Sequence, residues 1–161
     1  MPIRNVTTDY SGRQKDISAF SVVNPLSPSR QAVTPTFGRV SSYCAGVQKL
    51  IQRYTIALLT TRGSQPAFPD FGTELLAGLA VSGLSTVSDL THAFNFANAL
   101  VVVQFRDYQS RASGIPLDEQ LDTAVLSSLT TTASFEVTFT ITLYTMAGTT
   151  IDYLLPIPIT K

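Results

Sequence analysis

The sequence predicts an α+β domain. About three helices pack on a small, mostly antiparallel sheet with a C-terminal β-hairpin, and an extended arm precedes them. Three observations carry this reading. Residues 41–59 repeat apolar side chains at helical spacing, residues 134–146 alternate with period two, and residues 1–40 hold prolines and hydroxyl side chains where a helix would need neither. The 161 residues are enough for one domain with its own core.

The arm, residues 1–40, is marked off from the domain, residues 41–161. "NPLSPSRQAVTPTFG" places Pro25, Pro28 and Pro35 in one short stretch, which bars a helix. Phe20, Val22, Val23 and Leu26 make it too apolar for a purely solvated tail. Two readings are open: an arm that docks on a neighbouring subunit, and local disorder.

In residues 41–59, Val47, Leu50, Ile51, Tyr54 and Leu58 fall on one helix face, and Ser41 or Ser42 is the expected N-cap. Residues 74–81, "ELLAGLAV", make a short helix that stops at Gly83. A longer helix follows with Ser85 as its cap and Val87, Leu90, Phe94, Ala97 and Val101 as its buried stripe. His92 lies off that stripe, where a lone histidine is ordinarily a surface residue. "QFRDYQSRASGIP", residues 104–116, reads as a break and a loop.

Residues 117–129 fit both regular structures. Leu117, Leu121, Ala124 and Val125 suit a helix; Leu121, Thr123, Val125, Ser127 and Leu129 suit a strand. The end of the chain has one reading. In "SFEVTFTITLYTM", Phe135, Val137, Phe139, Ile141 and Leu143 point one way, and Glu136, Thr138, Thr140, Thr142 and Tyr144 the other. "AGTT" turns the chain into "IDYLLPIPI", whose Pro156 and Pro158 can sit only on the edge of a sheet or beyond its end. An apolar edge so close to the C-terminus invites pairing with another chain.

Charged residues are 14 % and apolar residues 44 %. So lean a surface suits either a domain covered by partners or an ordinary apolar one. The net charge of zero gives no global field for nucleic acid or a membrane. Residues 1–62 carry eight basic and two acidic side chains, and residues 63–161 carry three and nine. The halves neutralise each other within the fold, or subunits meet positive patch to negative patch. The start, "MPIRNVTTDY", has no apolar signal region, and "ALVVVQF" is far too short to span a bilayer. The expected setting is cytosol, or a particle assembled there.

Chemistry is hard to find. One cysteine and one histidine cannot form a disulfide or a Cys/His metal cluster, so Cys44 reads as a small core residue. No phosphate-cradling glycine loop is present, and no nucleophile-elbow spacing surrounds His92. The three glutamates, Glu74, Glu119 and Glu136, do not read as a pair facing a cleft. No catalytic, cofactor-binding or metal-binding residue is expected.

The most distinctive stretch is "TTRGSQPAFPDFGTELL", residues 60–76. Gly63, Pro66, Pro69, Asp70, Phe71 and Gly72 suit a rigid connector between two helices. Gly63 permits a left-handed helix exit, and the prolines stiffen the crossing. Phe68 and Phe71 can tuck inward, and Asp70 can accept from nearby amides. Gly72 allows a positive φ before Thr73 caps the next helix. Arg62 and Gln65 sit at the rim as contact candidates.

This stretch, with the helix before it and the helices after it, resembles the baseplate wedge or sheath-initiator family of contractile phage tails, which has relatives in type VI secretion systems. The family signature has the form T-x-x-G-x-x-P-x-x-P-x-[FY]-G, and Thr60, Gly63, Pro66, Pro69, Phe71 and Gly72 occupy its places. The resemblance covers residues 41–155. Many relatives carry a Glu-Pro-Arg triplet just before the first strand; here Asp118, Glu119 and Gln120 stand there, preceded by about a dozen extra residues.

The resemblance implies a structural, non-enzymatic component of a tail baseplate, assembled in the host cytoplasm with six copies per baseplate. It implies other wedge proteins and the tail sheath protein as partners, with tail tube or hub proteins as further ones, and neither nucleic acid nor membrane. It also implies a sheath-facing hairpin that adds strands from sheath subunits, with Thr138, Thr140, Thr142, Tyr144, Ile151, Tyr153 and Leu155 supplying the contact. Asp118, Glu119 and Gln120 would fall in the wedge contact. The rival readings are a baseplate-associated peptidoglycan hydrolase, and the equivalent wedge subunit of a secretion or tailocin particle.

Overall fold

The computed structural model of the chain describes residues 15–27, 30–35, 43–81, 86–131 and 136–158, and of 20–27, 30–35 and 81 the backbone alone. Ser41, Ser42, Gly83, Ser85 and Phe135 lie outside the described residues. So do residues 1–14 and 36–40 of the arm.

Two short strands, β1 (Asp16–Ile17) and β4 (Tyr43–Cys44), pair antiparallel at the root of the N-terminal region. Between them, β2 (Phe20–Ser27) and β3 (Arg30–Pro35) form an antiparallel hairpin. The extended chain expected here therefore folds back on itself. Cys44 is buried, but in β4 and not in a helix. The cause is Gly46, whose φ of 62° is closed to most side chains and ends the extended run. Helix α1 (Val47–Leu59) begins only after it.

Leu50, Ile51, Tyr54 and Leu58 of α1 are buried, as the spacing predicts; Val47 is half-buried against the core, and Ala57 joins the buried face. Helix α2 (Leu75–Val81) is short. Helix α3 (Val87–Arg111) is capped by Thr86, whose hydroxyl oxygen accepts from the Asp89 amide at 3.1 Å while its O–H donates to the Asp89 carboxylate. Leu90, Phe94, Ala97 and Val101 are buried; Val87 at its first turn is exposed. The helix does not break at residue 104. Phe105 continues the buried stripe, and Gln104 and Gln109 turn their amides inward to bond backbone groups. Polar side chains with inward partners look, in sequence, like the start of a loop.

A single 3-10 turn, Leu117–Glu119, leads into β5 (Leu121–Thr131), so the ambiguous stretch is a strand. Strands β6 (Glu136–Thr145) and β7 (Thr150–Pro158) complete the expected hairpin. The fold is α+β, with three helices and a five-stranded sheet in the order β2-β3-β7-β6-β5. All neighbours in it are antiparallel except β3 and β7, which pair at Gln31↔Tyr153 and Ala32↔Leu154.

The core lies between the helices and one sheet face. Val137, Phe139, Ile141 and Leu143 of β6 and Tyr153, Leu155 and Ile157 of β7 meet the buried stripes of α1 and α3. Phe94 stacks on Phe139 at 5.2 Å, and Tyr54 meets Tyr153 edge to face at 6.5 Å. The opposite face of β5 and β6 is a hydroxyl ladder. Ser128 donates to Thr140 at 2.8 Å, Thr142 donates to Asp152 at 2.6 Å, and Ser127 is hydrogen bonded to Thr142.

Candidate functional site

The connector leaves α1 at Thr60, whose backbone turns extended. Its neck is closed by backbone bonds from Thr73 to the Thr60 carbonyl at 2.7 Å and from Arg62 to the Thr73 carbonyl at 3.1 Å. A second rung, from the Gly63 amide to the Pro69 carbonyl at 3.0 Å, closes the loop above it. Gly63 and Gly72 have φ of 80° and 99°, so both glycines stand where positive φ is required. Thr73 donates to the Leu58 carbonyl and accepts from the Leu75 amide, tying α1 to the start of α2. Gln104 of α3 braces the other side, donating to the carbonyls of Asp70 and Gly72 and accepting from the Gly72 amide.

Two expectations about this loop need correction. Phe68 does not tuck in: it is 66 % exposed, because the turn from Gln65 to Phe68 turns it away from the core. Phe71 is half-buried and packs on the core. The Asp70 carboxylate accepts from Arg62 at 2.6 Å rather than from backbone amides. Pro66, Pro69, Arg62 and Gln65 are exposed. Phe68 and Phe71 wall an open groove of about 990 Å³ against α3, with Ile56, Phe105 and Tyr108 as its apolar floor. Arg53 stacks on the Tyr108 ring at 5.2 Å and donates to its hydroxyl at 3.0 Å.

The expected wedge-contact triplet is spent inside the fold. Glu119 is buried, pairs with Lys49 at 3.3 Å and accepts from the Gly46 amide at 3.0 Å. Gln120 donates to the Ile115 carbonyl, and its own carbonyl accepts from Met146 in the hairpin turn. Asp118 is half-buried.

The hairpin is placed differently from expectation as well. β6 is paired along both sides, so it has no edge. The outer edge of β7 carries β3. Tyr153 and Leu155 face the core, Ile151 packs against it, and Thr140 and Thr142 are buried. Thr138 is half-buried and Tyr144 is exposed. Pro156 and Pro158 lack the amide hydrogen that pairing needs, so β7 is closed to a further partner beyond Leu155.

Among the described residues the sheet ends in β2 on one side and, beyond β6, in β5. Side-chain amides of α3 dress its beginning: Gln109 both donates to and accepts from the Leu121 backbone, and Asn98 donates to the Ala124 carbonyl at 2.8 Å. Beyond Ala124, residues 125–131 carry no charge, and Val125, Ser127, Ser128, Thr130 and Thr131 are exposed. Charged side chains, prolines, bulges and covering elements are how folded proteins blunt such an edge; residues 125–131 hold no charged side chain and no proline, and one register shift against β6 falls between Leu126 and Ser128. No spacing in the sequence marked it, because residues 117–129 fitted a helix equally well.

Among the described residues no group of three His, Cys, Asp or Glu could hold a metal ion, and no helix is long and apolar enough to cross a membrane. Glu74 is exposed at the start of α2, Glu119 is paired in the core, and Glu136 begins β6. No protein-family model matches the chain, and no curated protein matches it. A solved structure from Geobacter sulfurreducens, of a protein provisionally named a tail lysozyme, is similar at 17 % identity. The match covers 71 % of this chain and 91 % of that one, with a TM-score of 0.46.

Proposed function

We propose that this chain is a structural subunit of a contractile-tail baseplate wedge, which joins the wedge to the sheath and templates the first sheath ring by strand addition. The observation that carries the reading is the uncharged outer edge of β5 over residues 125–131, to which no described strand is paired, with β6 on its other side. An extended segment of a sheath subunit gains main-chain hydrogen bonds there, and the exposed side chains on alternate positions set its register. The Gly-Pro-Pro-Phe-Gly resemblance supports the same assignment. The groove beside Phe68 takes the neighbouring wedge protein in place of Asp118, Glu119 and Gln120. The role is one of assembly and not of hydrolysis, and the subunit sits in the tail baseplate in six copies.

The test places a lysine on the open edge. Val125→Lys and Thr130→Lys change exposed side chains, so the fold should survive within about 0.5 kcal/mol. A charged edge side chain opposes strand addition. The expected result is a baseplate that assembles with the variant but gains no sheath. Normal contractile tails from both variants would overturn the reading. Cell-wall lysis by the purified protein, lost in Glu74→Gln or Glu136→Gln, would replace it with the hydrolase.

A further inference from the structure

The ladder between β5 and β6 decides which main-chain groups of β5 turn outward. At the end of β6 the Thr145 amide donates to the Thr149 carbonyl at 3.0 Å, so it faces β7. The Met146 amide donates to the Gln120 carbonyl at 3.0 Å, so it faces the β5 side. Successive amides of a strand alternate in direction, so those of Thr142, Thr140 and Thr138 face β5 as well. Their partners Val125, Ser128 and Thr130 are therefore bonded into the ladder. Leu121, Ala124, Leu126, Leu129 and Thr131 turn their main-chain groups outward. Side chains of α3 give the same phase independently. Gln109 takes both outward groups of Leu121, at 2.8 and 3.0 Å, and Asn98 takes the outward carbonyl of Ala124 at 2.8 Å. Among the described residues, no strand and no α3 amide meets the outward groups of Leu126, Leu129 and Thr131.

We infer that α3 fixes where a strand added to β5 can start, and that β5 fixes its chemistry: an uncharged segment of the sheath subunit, with apolar side chains two apart opposite Leu126 and Leu129. The inference rests on the reading that this edge receives sheath. Gln109 and Asn98 act as a stop, because they hold the groups that a longer strand would need at Leu121 and Ala124. The stretch left to it, residues 125–131, is about 23 Å long at the usual rise per residue. Residues directly opposite each other in a ladder put their side chains on one face. Leu126 and Leu129 are half-buried and pack on the core, so the residues paired to them lie on the helix side and meet apolar surface. A charge there would lose water and gain no partner, since residues 125–131 hold none. The register shift at Ser127 brings the two leucines opposite Ile141 and Phe139, which are two apart, and an added strand takes the same spacing. The side chain between lies on the other face with Ser128 and Thr130, where the hydroxyl ladder runs, and is small or hydroxylated.

The experiment is amide hydrogen exchange at single-residue resolution, on the full chain alone and in sheathed particles. In the free chain the amides of Leu126, Leu129 and Thr131 should exchange at least about ten-fold faster than those of Val125, Ser128 and Thr130. In the particle the same three should slow by at least about ten-fold, while Ala124 keeps its rate. A diazirine analogue of leucine at position 129 then marks the sheath residue opposite it, read by mass spectrometry. The marked stretch should hold no Asp, Glu, Lys or Arg and should carry apolar residues two apart. Unchanged exchange throughout residues 125–131 would remove the sheath reading of this edge, and this inference with it. New protection at Ala124, protection gained only at Val125, Ser128 and Thr130, or a charged cross-linked stretch would overturn this inference and leave that reading standing.

Discussion

Gln104 and Gly72 exchange two hydrogen bonds. The Gln104 amide donates to the Gly72 carbonyl at 2.9 Å, and its oxygen accepts from the Gly72 amide at 3.2 Å. One side chain of α3 thereby completes a turn that the connector's own backbone leaves open. It also joins the loop to the helix whose C-terminal end floors the groove. Anything that loosens this brace should show in the groove as well.

The two connector glycines should respond differently to substitution. A Cβ on Gly72 would lie 2.3 Å from the Thr60 carbonyl oxygen, the atom that closes the neck of the loop. Neither backbone can yield without opening that neck. A Cβ on Gly63 meets nothing within 4 Å, and only its φ of 80° is unfavourable. Gly63→Ala should therefore cost about 1–2 kcal/mol, and Gly72→Ala at least about 3 kcal/mol. Urea midpoints at constant slope give both values, and equal shifts would refute the neck argument.

Lys49 and Glu119 form a buried ion pair, with side chains 8 % and 5 % exposed. Removing one partner strands a charge in the core. Lys49→Met should cost about 3–5 kcal/mol, whereas the double change Lys49→Met with Glu119→Leu should cost much less, because no charge is left unpaired. The double variant still loses the acceptor of the Gly46 amide, worth about 1–3 kcal/mol. A double-mutant cycle by denaturation reads the coupling directly. A single variant as stable as the double would show that the pair is solvated.

How far the sequence reached depends on the range of the signal. The period of three to four in residues 47–58 and the period of two in residues 136–145 are local; the strand stands where it was expected, and the helix ends as expected but begins six residues late, at Val47. The connector glycines were legible because positive φ is a local demand. What the sequence hid lies in partners far along the chain. Gln104 and Gln109 read as loop residues, since their backbone partners at Gly72 and Leu121 leave no periodic trace. Glu119 read as a surface contact because its partner Lys49 lies in another helix. The hairpin edge was misplaced for the same reason: nothing local to β7 announces that β3 pairs with it.

Stability should fall steeply at alkaline pH. Burial raises the Tyr54 phenol well above its ordinary value near 10, and burial likewise raises Tyr153. A group whose pKa is raised by folding holds its proton more tightly in the native state. Its stabilisation is complete below the unfolded pKa and is lost as pH climbs above about 10, at about 1.4 kcal/mol per pH unit for each tyrosine. Tyr54→Phe should halve that slope. Absorbance at tyrosinate wavelengths should show these two phenols ionising only as the fold is lost. Smooth titration of all tyrosines near pH 10, with circular dichroism unchanged, would count against their burial.

The root of the N-terminal region hangs on one α1 side chain. Gln52 is buried, accepts from the Ala19 amide at 2.7 Å and donates to the Ile17 carbonyl at 2.8 Å. It thus takes the place of a neighbouring strand for a segment whose β1–β4 pairing is only two residues long. The nearby Arg53–Asp16 pair is 3.9 Å long and only half-buried, and pairs so long and open to solvent contribute little. Gln52→Ala should leave both backbone groups without their partner, a loss of about 1–3 kcal/mol felt locally. Local opening exposes the bond after Lys15, which is itself exposed. Tryptic cleavage there should accelerate several-fold in Gln52→Ala and less than two-fold in Asp16→Asn, as followed by mass spectrometry over time. Equal rates in the two variants would mean that Gln52 does not hold the root.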